Sequence, residues 1–409
     1  MTGITRRQAG GGVAALGLAT LARRAAAQGG TVKIGSLHPL TGPLALDGKQ
    51  MDDAIKLAAE AINAAGGIKA LGGAKLEILS ADTQGRPDVG QTEAQRQIDS
   101  GAVALIGCYQ SAVSQNVATV ATRARVPLVL DITAADSVLQ QGSRFVFRIQ
   151  PNASTIGLRS AEFLKHVSDA NGGGVKRIAY LRDESEFGRS IFAAFKRRAE
   201  ELGMEVPLDI AFDPFRTTDL TTEMTRVRAG NVDVLAVTGY FNDGVLVART
   251  ANAVKPQLKA LWGVASAAGE QQDFVNAVGA PAAEGVLCAT IRYNGKSPRI
   301  QELQVLYRER FGQEMRLSAP FGYQALQVVA AGLEKVSQAR GQALRDAIAG
   351  LELNSPLLAY PGPIKFDDKG ENINAAPQLV QTQGGRITQV WPQSFAEAAP
   401  KFPSVPWSA

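Results

Sequence analysis

The chain of 409 residues holds only two cysteines and two histidines. Two thiols cannot build a disulfide-dense scaffold or a four-thiolate zinc site. A mixed metal site would need both of them plus His38 and His166, which lie far apart without finger-like spacing. Histidine-based catalysis has as little to draw on. No strand-like run leads into G-x-G-x-x-G, and G-x-x-x-x-G-K-[ST], G-x-S-x-G, C-x-x-C and H-E-x-x-H are missing. Dinucleotide, nucleotide and serine-hydrolase chemistry therefore lose their usual residues, and no cofactor is called for. An uncatalogued pair among the 38 acids leaves an enzyme as a minor reading. No stretch approaches the ~18 uninterrupted apolar residues of a membrane span. Charge of one sign is scarce too. Residues 1–27 hold Arg6, Arg7, Arg23 and Arg24 and no acid, so removing those four from the net +5 leaves +1, and nothing asks for nucleic acid.

What is there is an ordinary globular composition, 45% hydrophobic with 42 Gly and 19 Pro, long enough for two or three packed units. Thr5-Arg6-Arg7, the apolar Val13 to Leu21 and Ala25-Ala26-Ala27 read as a signal peptide over residues 1–27. The arginine pair suggests the twin-arginine route, while the short apolar core also suits the general one. The expected compartment is the bacterial periplasm. Cys108 and Cys288 each lie in or just after a strand-like run and read as small buried hydrophobes, unless the fold brings them together.

After Gln28, strands and helices alternate. Strand-like runs at Val32 to Leu37, Lys75 to Leu79, Val103 to Ile106 and Val126 to Leu130 are separated by helical patterns at Asp52 to Ile62, Val89 to Ile98 and Val113 to Ala124. The alternation restarts after Pro151, with strands at Arg177 to Leu181, Glu205 to Ile210 and Val232 to Val237. Near-continuous apolar strands between helices predict an α/β chain with parallel, doubly wound sheets covered on both faces. Phe147 to Asn152 marks the lobe boundary. The last third is mainly helical, with too few strands for a third domain, and should complete the two lobes.

Several segments together resemble the periplasmic solute-binding proteins of the branched-chain amino acid (leucine, isoleucine, valine) ABC-transporter family. They are Ile34-Gly35-Ser36-Leu37-His38-Pro39-Leu40-Thr41-Gly42-Pro43, Ala61-Ile62-Asn63-Ala64-Ala65-Gly66-Gly67-Ile68, Ala104-Leu105-Ile106-Gly107 with Ser111, Val126-Pro127-Leu128, Phe145-Val146-Phe147-Arg148, Phe187-Gly188, and Gly362-Pro363-Ile364-Lys365-Phe366 through Gly370. The resemblance implies two lobes joined by a three-crossover hinge, with a small ligand buried between them on closure and delivered to a membrane permease. It divides the chain into residues 28–150 and 289–352 for the first lobe, 151–288 and 353–393 for the second, and a Pro-rich tail over 394–409. A monomer is expected. A ligand-sensing module for amides or aromatic acids is the alternative.

The resemblance also names cleft residues. Ser111, which opens a helix, holds the ligand carboxylate in the family, although a serine there also suits a helix cap. In the next loop Ala134 falls where the family has a threonine and Thr133 is adjacent. Asp131, unusual for the family, either caps a turn or receives a ligand ammonium. Phe187, Tyr240 and Phe241 align with aromatics that cover the ligand, and as plain core residues they would need no such role. The family's ammonium-binding glutamate is replaced around Val264-Ala265-Ser266, so Asp131, Asp243 or Glu270 must substitute or the ligand has no ammonium.

Overall fold

The computed structural model describes residues 30–266, 268–354 and 357–405; the expected signal peptide lies outside them. Five strands form the first sheet: β1 (Thr31–His38), β2 (Lys75–Asp82), β3 (Ala102–Gly107), β4 (Leu128–Leu130) and β5 (Val146–Arg148). They run parallel in the order β2-β1-β3-β4-β5. The second sheet holds β6 (Arg177–Asp183), β7 (Glu205–Phe212), β8 (Val234–Thr238), β9 (Ala260–Val264) and β10 (Leu287–Thr290). Its order β7-β6-β8-β9-β10 repeats that of the first. Strand side chains alternate between two helical layers: Ile106 joins the cluster of Ile55 and Phe321, and Leu105 that of Val113 and Val117. In the second lobe Trp262 and Leu261 part in the same way.

The second sheet departs from the all-parallel expectation. After the short pair β11 (Glu352–Leu353) and β12 (Ile364–Lys365), strands β13 (Gln378–Gln383) and β14 (Arg386–Trp391) add an antiparallel hairpin beside β10. Its turn is Gly384-Gly385, both at positive φ (59° and 72°), as a two-residue hairpin turn demands. The four glutamines of this hairpin hide the apolar signature of a strand. The domain division also shifts: Leu358, Ile364 and Phe366 share a core with Ile34 and Phe147, so the first lobe runs past residue 353. The tail is docked as far as Val405, with Phe402 buried in the second lobe's core and the Ser404 N–H donating to the Lys259 carbonyl at 2.7 Å.

Between lobes the chain passes three times: after β5, after β10, and before β13. The first and third passages lie side by side, the Arg148 N–H donating to Gly370 O at 2.8 Å and the Asn372 N–H to Arg148 O at 3.1 Å. Gly370 sits at φ +90°, and a Cβ there would fall 2.2 Å from the Val146 carbonyl oxygen, which explains the glycine closing that motif. Cys108 and Cys288 are free and buried, one in each lobe.

Candidate functional site

In both sheets the carboxyl ends of the strands face one cleft, the place where open α/β sheets bind ligands. The cavity there, partly open to solvent, takes in about 600 Å³ of space free of protein atoms. The first lobe lines it with Asp47 after β1, Tyr109 after β3, Ile132 and Ala134 after β4, and Ser318 at the start of the helix Ala319–Leu333. The second lobe adds Ile156, Phe187 after β6, Tyr240 after β8, and Ala265, Glu270 and Gln271 after β9. Gln150, Thr290 and Ile291 close it at the passages. The rings of Tyr109 and Tyr240 meet across the cleft with centroids 5.8 Å apart, and Phe187 lies 5.5 Å from Tyr240.

Of the expected residues the cavity therefore gathers Ala134, Phe187 and Tyr240. The others lie outside its lining. Ser111 is buried and its hydroxyl accepts the Ala135 N–H at 3.2 Å; the Thr133 hydroxyl lies 2.6 Å from that of Ser114. Asp131 is fully buried against His38, 2.6 Å from Nε2, and its other oxygen accepts the Ile132 N–H at 2.7 Å. That carboxylate is spent inside the first lobe, so its turn-holding role is the one observed. Phe241 stands beside the cleft with the Arg316 guanidinium 4.8 Å above its ring.

Of the three acids that could replace the glutamate near residue 265, Glu270 alone lines the cavity. The Thr290 hydroxyl donates to its carboxylate and Arg292 to its backbone carbonyl at 3.1 Å. Burial, and then the charge of Asp47, pushes the Glu270 carboxyl well above the usual range, against the opposing pull of Arg292 and Arg316. Sequence reasoning missed Asp47 and Arg316. Asp47 Oδ1 accepts from Arg316 Nε at 3.0 Å and from the Ser318 hydroxyl at 3.1 Å, and Arg316 also pairs with Asp273. The only local signal is an acid four residues before Met51 on the buried face of the helix Ala45–Ala64, which begins seven residues before its expected start.

Asp243 caps the helix Phe241–Val254, accepting the Tyr240 N–H at 2.8 Å. Burial pushes its carboxyl up to about 7 from an ordinary 3.8. Between those values the folded chain holds a proton that the unfolded chain has lost, so this group's contribution to stability falls as pH rises through the window. Asp243→Asn keeps an acceptor and removes the charge. It should be more stable than the parent at pH 8, with the advantage shrinking toward pH 4 in urea midpoints; parallel pH profiles would refute this.

The geometry is that of a two-lobe protein with a cavity in the cleft between its lobes. A family model described as periplasmic binding protein matches residues 31–386, and the chain belongs to that family, whose members bind solutes rather than transform them. The "Leu/Ile/Val-binding protein homolog 7" of Brucella abortus (strain 2308) is 27% identical over 95% of this chain and 98% of its own. Among solved structures, a leucine-binding protein LivK from Thermotoga maritima MSB8 superposes with a TM-score of 0.76 at 22% identity, covering 88% of this chain and 98% of that one. A solute-binding protein of an ABC transporter from R. palustris, solved with benzoate, gives a TM-score of 0.75 at 19% identity over 88% and 95%. The family's compartment is the periplasm. Among the described residues no helix is long and apolar enough to cross a membrane.

Proposed function

We propose that this chain is the extracytoplasmic substrate-binding component of an ABC transporter, exported by its leader and acting as a monomer. It closes on a small carboxylate ligand, a hydrophobic amino acid or a related organic acid, and presents the closed shape to a membrane permease. The observation that carries this reading is the cavity itself. It lies between two lobes connected by three passages and is walled by Ile132, Ile156, Phe187 and Tyr240, which suit an apolar ligand body. Ala134, Phe187 and Tyr240 are the proposed contacts, and closure coupled to differential affinity lets the bound form be recognised.

Thermal unfolding of the purified protein against leucine, valine, phenylalanine, benzoate, branched 2-oxo acids and short amides tests it. A ligand of the folded form raises the midpoint, by about 2.7 kcal/mol of stabilisation at a hundred times its dissociation constant. A midpoint unmoved by the whole panel would remove this ligand class.

A further inference from the structure

Two carboxylates from opposite lobes, Asp47 and Glu270, line the same cavity, and nothing in the family resemblance assigns the first. We propose that they form one acceptor, built across the cleft, for a positively charged nitrogen on the ligand, so that the cleft selects ammonium- or amidinium-bearing molecules over acids without nitrogen. This rests on the solute-binding reading above and narrows it.

The hydrogen bonds leave room for such a partner. Asp47 Oδ1 is committed to Arg316 and Ser318, but among the described residues the hydrogen-bond partner of Oδ2 is the Tyr109 hydroxyl at 3.4 Å, too long for a strong bond. The charge balance points the same way. The groups around Glu270 are Asp47 and Arg316 from the first lobe, Arg292 from the second passage, and Asp273, which pairs with Arg316, from the second lobe. Tyr109 and Cys288 also face it, and burial pushes both the phenol and the thiol upward, which keeps them neutral. Three carboxylates against two guanidiniums leave one negative charge. A proton on Glu270 can cancel it, and its carboxyl is indeed pushed upward by burial and by Asp47. A ligand cation can cancel it as well. Only the cation also donates hydrogen bonds to both lobes at once, so its affinity is for the closed form. An organic acid without nitrogen would add a second negative charge to this wall.

Calorimetric titration of the purified protein with matched probes tests the proposal: leucine against 4-methyl-2-oxopentanoate, and benzamidine against benzoate. The nitrogen-bearing member should bind about tenfold or more tightly than its partner, and Asp47→Asn and Glu270→Gln should each weaken it by about tenfold or more. An acid that binds as tightly as its nitrogen-bearing partner overturns the proposal and leaves the solute-binding reading intact. So does an Asp47→Asn protein with unchanged affinity. If no probe in either arm binds, the ligand class of the proposed function fails and this inference falls with it. Should Asp47→Asn fold poorly, the near-isosteric Glu270→Gln carries the test through the same titrations: an unchanged affinity for leucine and benzamidine in that variant overturns the pair.

Discussion

Replacing Arg316 with alanine should open the protein and weaken its ligand by about 2–5 kcal/mol, the usual loss when one member of a buried charge pair is truncated. Arg316 belongs to the first lobe, just before the helix Ala319–Leu333, and is 6% exposed. Its guanidinium bonds Asp47 in its own lobe while reaching Asp273 and the face of Phe241 in the other. Other lobe-to-lobe ties are neutral or single-charged, such as the Ser137 hydroxyl donating to Glu186 Oε1 at 2.9 Å and the Ser154 hydroxyl to Asp136 Oδ2 at 2.7 Å. Removing Arg316 deletes the ion-paired tie and leaves the Asp47 carboxylate buried beside Glu270 without its counter-charge. Scattering without ligand should show a larger radius of gyration. Arg316→Lys keeps the charge but cannot reproduce the planar fork, so it should fall between. An alanine variant as compact and as tight-binding as the parent would remove the latch from the account.

The largest loss of stability is expected at Arg148, a fully buried arginine at the end of β5. Its Nη1 donates to the Ala134 carbonyl, its Nη2 to the Ala135 carbonyl at 2.7 Å, and its Nε lies 3.6 Å from Glu371 Oε2. One side chain thereby ties the cavity loop after β4 to the first and third passages. Arg148→Leu fills similar space but strands two buried carbonyls and a carboxylate. A loss of about 3–5 kcal/mol in denaturant unfolding is the expected result. Glu371→Gln should cost much less, because its side chain is 18% exposed and the guanidinium keeps its two carbonyl partners. Comparable losses for the two variants would show that the carboxylate, not the loop carbonyls, carries the energy.

Seven strands, β1 to β4 and β6 to β8, were legible as short runs between helical stripes, and burial on both faces writes an apolar pattern into the central ones. Tyr240 and Phe187 were legible through the resemblance and do line the cavity. The hairpin β13–β14 was not, since its glutamines bond to backbone and to each other, as Gln381 does to the Lys401 carbonyl at 2.8 Å and Gln389 to Gln378 at 2.9 Å. Local hydropathy does not register a polar side chain that is buried with its partners supplied from elsewhere.

By itself, then, the sequence determined the alternation, the two lobes and, through the resemblance, the family and two of the cavity's aromatics, Phe187 and Tyr240, because these depend on periodicity and on residues close together in the chain. Only the tertiary structure decided the polar half. Asp47, Glu270 and Arg316 are far apart in sequence and become one electrostatic unit only when the lobes meet, and Asp131, a plausible site residue on paper, is withdrawn by His38. Charge selectivity is a property of the groups that surround a side chain, and those are set by the fold.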